Sequence, residues 1–354
     1  SWLVLQRGHF TATSGMKAAF FALLLTTCLW GVFAEERYRE EEDIVRLGLH
    51  FVYDNKFAEQ AIFEENGTFN GYFTALTGAA EAYFKNHHHL SILLTLVNSS
   101  KLEDQDKLKY VTEGGETYLN ASETLWELDG MFTWNENLST DVDVVFLVTG
   151  HKLKIRVSDM TGEWYGLAAP GSICYGNASV GIIYDDGITF NGAQLLALQI
   201  ALLLGAKKDN GRWGECDLSD EYLMSSINGG RHPILSECSE RSMWTFHGRV
   251  QEVRGRDLCW KDTPRGALEK KGSPVNFYGE KRCDVCELRD GPKTKEFKCK
   301  GRKLYKKHGD CKVYCCSSPA TKYSRRICEE RNPVNLPDGT PCPGWKKCIH
   351  GECV

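Results

Sequence analysis

Short apolar strands and stretches with helical spacing follow one another along the first two thirds of the chain. Apolar residues alternate with polar ones over residues 44–53, which predicts a half-buried strand, and residues 71–84 carry apolar residues at helical spacing. Further strands are predicted at 90–97, 142–149 and 181–184, and the nearly continuous apolar run of 142–149 is typical of the centre of a sheet. Strand, helix and further strands together predict an α/β (α+β) fold, with a mixed twisted sheet and helices on its faces.

Two other segments complete this pattern. Residues 99–141 are polar and contain glycine, so we predict a surface excursion there. Residues 194–204 read QLLALQIALLL and are apolar almost all round, which predicts a buried helix. Gly205 follows, and glycine readily takes the left-handed conformation that ends a helix.

The first 34 residues contain the pattern of a secretory signal. Residues 16–34 begin with Met and Lys, continue as an apolar run and end at Ala34, which predicts a signal peptide. Residues 1–15 are then expected to be untranslated leader. A membrane anchor is the alternative, but the run is short for the roughly 20 residues that a spanning helix needs. We therefore expect a secreted, extracellular protein without a membrane segment once the signal is removed.

Cysteines and N-glycosylation sequons agree with secretion. Removal of the signal peptide leaves fourteen cysteines, an even number, and an oxidising compartment favours their pairing in disulfides. The disulfide candidates are Cys174, Cys216, Cys238, Cys259, Cys283, Cys286, Cys299, Cys311, Cys315, Cys316, Cys328, Cys342, Cys348 and Cys353. The glycosylation candidates are Asn66, Asn98, Asn120, Asn137 and Asn177.

The composition changes near residue 250, which predicts two domains, at 35–250 and 251–354. The formal net charge of −4 hides an acidic first part and a basic last part, and ten cysteines fall between Cys283 and Cys353. The last hundred residues have few apolar side chains, so we expect their disulfides to hold them together.

About half of residues 293–312 are basic. In a secreted protein this pattern favours a site for sulfated glycosaminoglycan or an acidic protein surface rather than for nucleic acid. A solvated basic face that keeps a small domain soluble is an equal alternative. The candidate residues are Lys298, Lys300, Arg302, Lys303, Lys306 and Lys307.

Three segments carry a resemblance to a known family. Residues 166–187 (GLAAPGSICYGNASVGIIYDDG), 197–209 (ALQIALLLGAKKD) and 216–239 (CDLSDEYLMSSINGGRHPILSECS) resemble the reprolysin (ADAM-like, adamalysin) family of metzincin zinc endopeptidases. The nearest likeness is to the secreted tick salivary metalloproteases. The resemblance implies a metzincin-like domain over 35–250, followed by a small disulfide-rich domain of the kind that binds substrates and matrix.

In that family one helix supplies two His ligands to zinc, four residues apart, and a Glu that acts as the general base; a third His follows the turn. Here Leu198, Leu202 and Lys208 occupy the three zinc-ligand positions, and Gln199 occupies the general-base position. Leucine has no lone pair, a lysine ammonium repels a dication, and a neutral amide cannot accept the proton. The sequence therefore predicts no catalytic residue, no metal ligand and no cofactor, whereas Met224 remains at the structural Met-turn.

These departures favour a pseudoprotease that acts by binding host extracellular or matrix proteins, and sulfated glycosaminoglycans are further candidate partners. An active zinc metalloendopeptidase, cleaving extracellular matrix or haemostatic proteins through a non-standard site, is the alternative. A third possibility is that the basic tail, residues 254–354, is the effector by itself. Three acids, Asp185, Asp186 and Asp209, lack the spacing of a calcium loop and are expected to be ordinary surface residues.

Overall fold

The computed structural model describes most of the chain after residue 43. The described residues are 44–85, 87–155, 163–209, 216–254, 259–266, 272–290, 299, 305–316 and 328–354. The predicted leader and signal peptide lie outside these residues. Within the described part, every helix is too short or too polar to cross a bilayer.

A five-stranded sheet forms the centre of the fold. Its order is β2 (Ser91–Lys101), β1 (Ile44–Tyr53), β5 (Val144–Thr149), β9 (Ser179–Tyr184) and β8 (Gly166–Ala168). β1, β5 and β9 are parallel, whereas β8 pairs antiparallel with β9 and lies at one edge. All six residues of β5 are buried, as expected for the central strand of a sheet covered on both faces.

Helices cover both faces of this sheet, which confirms the mixed α/β fold. The helices are α1 (Asn55–Gln60), α2 (Asn70–Ala82), α3 (Ala121–Phe132), α4 (Gly192–Leu203) and α5 (Glu237–Arg254). On one face Phe146 belongs to the larger core together with residues of α2 and α4, including Phe73 and Leu196. On the other face Leu147 and Ile182 join Leu128 of α3 in a second core.

Residues 99–141, predicted as a surface excursion, are largely exposed, but they contain regular elements that the sequence analysis did not predict. This segment contains β3 (Tyr110–Glu113), β4 (Glu116–Asn120) and α3. β4 also pairs with β6 (Leu153–Lys154), and β6 pairs with β7 (Glu163–Trp164), so a second, four-stranded sheet forms beside the first. The apolar face of α3 is narrow and includes the buried Thr124, which hid the helix from a search for apolar spacing.

The C-terminal part is a small, cross-linked region of short elements. Its helices are α6 (Pro274–Lys281) and α7 (Val285–Asp290); its strands are β10 (Tyr305–His308), β11 (Lys312–Cys315), β12 (Val334–Asn335), β13 (Pro341–Cys342), β14 (Lys346–Ile349) and β15 (Glu352–Cys353). All fourteen candidate cysteines are paired. The bridges are Cys174–Cys259, Cys216–Cys238, Cys283–Cys299, Cys286–Cys315, Cys311–Cys348, Cys316–Cys328 and Cys342–Cys353.

Aromatic packing joins this region to the α/β part, and Val45–Val354 form one compact unit. Phe277 and Tyr278 of α6 pack on Phe190, with ring centroids 5.5 and 5.3 Å away. The Tyr278 hydroxyl donates a hydrogen bond to the Ile188 carbonyl (2.6 Å). The boundary near residue 250 stays a prediction.

Candidate functional site

A buried carboxylate fixes the start of α4, the helix at the centre of the family resemblance. Asp185 accepts hydrogen bonds from the Tyr72 hydroxyl (2.7 Å) and from the backbone N–H groups of Gly187 (2.7 Å) and Gly192 (2.8 Å). Burial raises the pKa of this carboxyl group to about 7, and the nearby Asp186 adds to the shift. The expectation that Asp185 is a surface acid was therefore wrong; it positions the first turn of α4.

Nearly all of α4 is buried, as its composition predicts. Leu198 is fully buried and Leu202 is half-buried against the larger core. The helix ends before Gly205, whose φ of +81° lies in the left-handed region. A Cβ on Gly205 would lie 2.5 Å from the ring of Phe246, so both the turn and the packing against α5 require glycine here.

Gln199 projects from α4 toward the edge strand β8. The residue is 1 % exposed, and its Oε1 has no hydrogen-bond partner among the residues that the structure describes. A Cβ on Gly166 would lie 2.7 Å from Gln199 Nε2, so the amide packs directly on the backbone of the strand. A buried amide oxygen without a donor is unfavourable, and a neutral amide has no basic group for activating water.

Lys208 lies beyond the turn that follows α4. Its Nζ sits 5.4 Å from the centroid of the Trp164 ring, within the range of a cation–π contact. Partial desolvation lowers the pKa of this amine, although the side chain as a whole is exposed. Lys208 therefore places an ammonium group on an aromatic ring.

Asp209 holds the Met-turn segment in place. Its carboxylate accepts hydrogen bonds from the hydroxyls of Ser236 (2.5 Å), Ser225 (3.1 Å) and Ser239 (3.2 Å). Its backbone N–H donates to the carbonyl of the fully buried Met224 (3.3 Å). Asp209 matches the family pattern as a structural residue and is not a surface acid, because three hydroxyls replace its water.

The three serines around Asp209 were not singled out from the sequence. For Ser236 the sequence does contain a signal, since serine is a favoured N-cap residue directly before a helix. In the structure the Ser236 hydroxyl accepts a hydrogen bond from the Ser239 N–H at the start of α5 (3.1 Å).

The residues present at this site do not fit zinc. Two leucines and one lysine stand at the positions that the resemblance assigns to ligands, and neither side chain offers a lone pair to a metal at neutral pH. In the part of the chain that the structure describes, Cys311, Cys342 and Cys353 are the only three metal-capable groups close together. All three sulfurs are committed to disulfides.

The glycosylation candidates differ in their surroundings. Asn66, Asn98, Asn137 and Asn177 are exposed, whereas Asn120 is buried and its Oδ1 accepts a hydrogen bond from the Glu123 N–H at the start of α3. A glycan on Asn120 would displace a helix cap. Glycosylation stays a prediction for all five.

Two of the six candidate polyanion-binding residues lie in the described part of the chain. Lys306 and Lys307 belong to β10 and are exposed, and they form ion pairs with Glu330 (2.6 Å) and Asp310 (3.8 Å). The remaining candidates, Lys298, Lys300, Arg302 and Lys303, lie outside the described residues.

The match to a family profile agrees with the resemblance. A profile described as the reprolysin (M12B) family of zinc metalloproteases matches residues 49–264, more than half of the chain. Among solved structures, metalloproteinase-II from Bacteroides fragilis is similar over 57 % of this chain, with 15 % identity and a TM-score of 0.34. The match covers 53 % of the bacterial chain, so this protein spans about half of its length. On the profile match, the chain belongs to the reprolysin family of zinc metalloproteases.

Proposed function

We propose that this protein is a secreted pseudoprotease that acts by binding host extracellular or matrix proteins. The observation that carries the proposal is the set of side chains on and after α4: Leu198 and Leu202 pack as core residues, Gln199 is a buried neutral amide, and Lys208 rests on an aromatic ring. A reprolysin needs metal ligands and a general base at these positions. Without them the domain keeps its shape and loses its chemistry.

The packing around α4 supports the proposal. Replacement of a histidine by leucine exchanges a polar group that needs a partner for apolar side chains that do not. The larger core accepts both leucines, and the Asp209 cluster holds the Met-turn through three serine hydroxyls and a backbone hydrogen bond to Met224. Loss of the metal is therefore compatible with a stable fold.

The disulfides support an extracellular location. Seven bridges connect the described cysteines, and such bridges persist in oxidising compartments but are rare in the cytosol.

The decisive experiment measures zinc and peptidase activity in the full-length secreted chain. We expect essentially no zinc by elemental analysis and no chelator-sensitive cleavage of protein substrates. The matched control carries Leu198→His, Gln199→Glu, Leu202→His and Lys208→His, and we expect it to bind about one zinc ion per chain because it restores three ligands and a base.

Two results would contradict the proposal. One tightly held ion in the unmodified chain, with chelator-sensitive peptidase activity, would establish the alternative of an active endopeptidase with a non-standard site. A folded control variant that binds no zinc would show that positions 198, 202 and 208 are not the ligand positions.

The basic tail is the candidate surface for a polyanionic partner, and sulfated glycosaminoglycan is the proposed class. Lys306 and Lys307 are partly neutralised by their acidic neighbours, so the net attraction depends on the whole basic run. We expect Lys306→Ala with Lys307→Ala to elute from heparin at lower salt than the unmodified chain. Lys346→Ala with Lys347→Ala on β14 is the matched control and should change elution less; equal shifts would indicate a general charge effect.

A further inference from the structure

Two aromatic side chains near the end of α3 are exposed to solvent and lie next to each other. Trp134, just after α3, is 64 % exposed, and Tyr175, in the loop before β9, is 56 % exposed. Their ring centroids lie 5.7 Å apart with an interplanar angle of 70°, so each supports the other edge to face. Two adjoining exposed rings offer a larger contact surface than a single exposed side chain.

The backbone fixes the position of this ring pair. The Asn177 N–H donates a hydrogen bond to the Thr133 carbonyl (2.6 Å), which ties the loop of Tyr175 to the residue before Trp134. Gly176 has φ +75°, and a Cβ there would lie 2.4 Å from the same carbonyl oxygen. The two rings therefore form a preset platform rather than two independent side chains.

Two glycosylation sequons border the platform. Asn177 follows Tyr175 by two residues, and Asn137 follows Trp134 by three. Both asparagines are exposed, and neither side-chain amide has a hydrogen-bond partner within the described part of the chain. By contrast, the Asn98 Oδ1 accepts a hydrogen bond from the Ser99 N–H (2.8 Å).

We propose that an N-linked glycan on Asn177 lies across the Trp134 and Tyr175 rings, with Asn137 as a second attachment point at the border of the same platform. The ligand class is the N-acetylglucosamine core of the protein's own glycan. One face of a hexose presents mainly C–H bonds, which pack favourably on the negatively polarised face of an aromatic ring. The Asn177 backbone N–H is hydrogen-bonded to the carbonyl of Thr133, the residue before Trp134, so the glycan attachment point is held near the rings. The first sugar therefore loses little freedom when it packs on them.

This inference rests on the secretory route of the proposed function, since only that route attaches N-glycans. It is independent of the zinc site. A chain that proves to be an active peptidase can still carry the glycan platform, and an inactive chain can lack it.

The test is oxidative footprinting of the full-length chain secreted from eukaryotic cells, with tryptophan oxidation measured by peptide mass spectrometry. We expect Asn177→Gln to raise oxidation of Trp134 several-fold, because the glycan no longer covers the indole. Trp345, which is fully exposed on the tail, is the internal reference and should not change. Asn66→Gln is the matched control, because Asn66 is exposed and far from this ring pair in sequence, and it should leave Trp134 unchanged.

A second measurement tests the contact energetically. Removal of the Asn177 glycan should lower Tm in the unmodified chain and have a smaller effect in a chain that carries Trp134→Ser and Tyr175→Ser. Both aromatic side chains are largely exposed, so this background is expected to fold.

Three results would overturn the proposal. Peptide mapping that finds Asn177 unmodified would remove the ligand. Oxidation of Trp134 that is as high as that of Trp345 both with and without the glycan would show that the sugar points away from the rings. Oxidation of Trp134 that is low both with and without the glycan would show that another protein surface, such as a second copy of the chain, covers the platform instead.

Discussion

The side-chain amide of Gln199 packs on the backbone of Gly166, so this residue is wedged between α4 and the edge strand β8. The available space is very small, since a methyl group on Gly166 would lie 2.7 Å from Gln199 Nε2 and 3.2 Å from its Cγ and Cδ. The Gln199 amide therefore fills the space between α4 and β8 at this point.

We therefore expect Gly166→Ala to destabilise the fold by about 1–3 kcal/mol, because the added methyl group overpacks a buried contact. Denaturant unfolding of the purified variant measures the effect. Gly130→Ala is the matched control: Gly130 lies within α3 and a Cβ there meets nothing within 4 Å. It should stabilise the protein by up to about 1 kcal/mol through helix propensity. Equal effects of the two substitutions would show that the gap at Gly166 is open.

A second prediction concerns the charge at position 199. Gln199→Glu should cost about 2–4 kcal/mol at pH 7.5, because it buries a carboxylate without a described basic partner. Burial raises the folded-state pKa above the unfolded value, so the penalty should be small near pH 4.5 and grow as the pH rises through the folded-state pKa. Gln199→Met, of similar shape and without charge, should show no such pH dependence. A penalty that is constant with pH would mean that the carboxylate has reached water or a cation.

Asp143, a buried acid directly before β5, is expected to make the stability of the fold depend on pH. Its carboxylate is buried and accepts a hydrogen bond from the Gly48 N–H (2.7 Å). Burial raises its pKa from 3.8 to about 7, and the acids Asp262 and Asp141 add to the shift. The folded state therefore binds a proton that the unfolded state has lost between about pH 4 and pH 7, and stability from this group falls across that window.

Asp143→Asn keeps the acceptor for Gly48 and removes the titration. We expect the variant to gain stability relative to the unmodified chain as the pH is raised from 4 to 7.5, by up to about 1.4 kcal/mol per pH unit within the window. Denaturant unfolding at four pH values measures this difference. A difference that does not vary with pH would mean that Asp143 is ionised throughout.

The long-range disulfide is expected to stabilise the fold more than a local one does. Cys174–Cys259 closes a loop of 85 residues, and the neighbouring Trp260 is buried with its carbonyl accepting a hydrogen bond from the Arg46 N–H (3.1 Å). Chain entropy predicts a loss of about 4.5 kcal/mol when this bridge is removed by Cys174→Ser with Cys259→Ser. The 11-residue bridge Cys342–Cys353, removed in the same way, should cost about 3 kcal/mol. Thermal unfolding of the two variants ranks them, and the opposite order would contradict the entropic account.

Much of the fold could be predicted from the sequence because its central elements have strong periodic patterns. The strand predicted at residues 44–53 coincides with β1, and the helix predicted at 194–204 lies within two residues of α4. These elements are buried on one or both faces, so their apolar pattern follows directly from their position. The second sheet could not be predicted, because β4 and β6 are short and pair across 33 residues of intervening chain.

The buried acids show the other limit of sequence reasoning. Asp185 and Asp209 look like surface residues because several of their partners are hydroxyls from distant parts of the chain, such as Tyr72 and Ser236. No pattern next to either acid reveals these partners. The disulfide pairing has the same cause, since the spacing of fourteen cysteines is compatible with many connectivities and only the fold selects one.

The Asp209 cluster does not depend on the residues at positions 198, 202 and 208. Its carboxylate accepts hydrogen bonds from three serine hydroxyls, so serine residues outside those three positions hold the turn of Met224. Under the proposed function, the side chains at positions 198, 202 and 208 are therefore free to differ between related proteins while this turn keeps its shape.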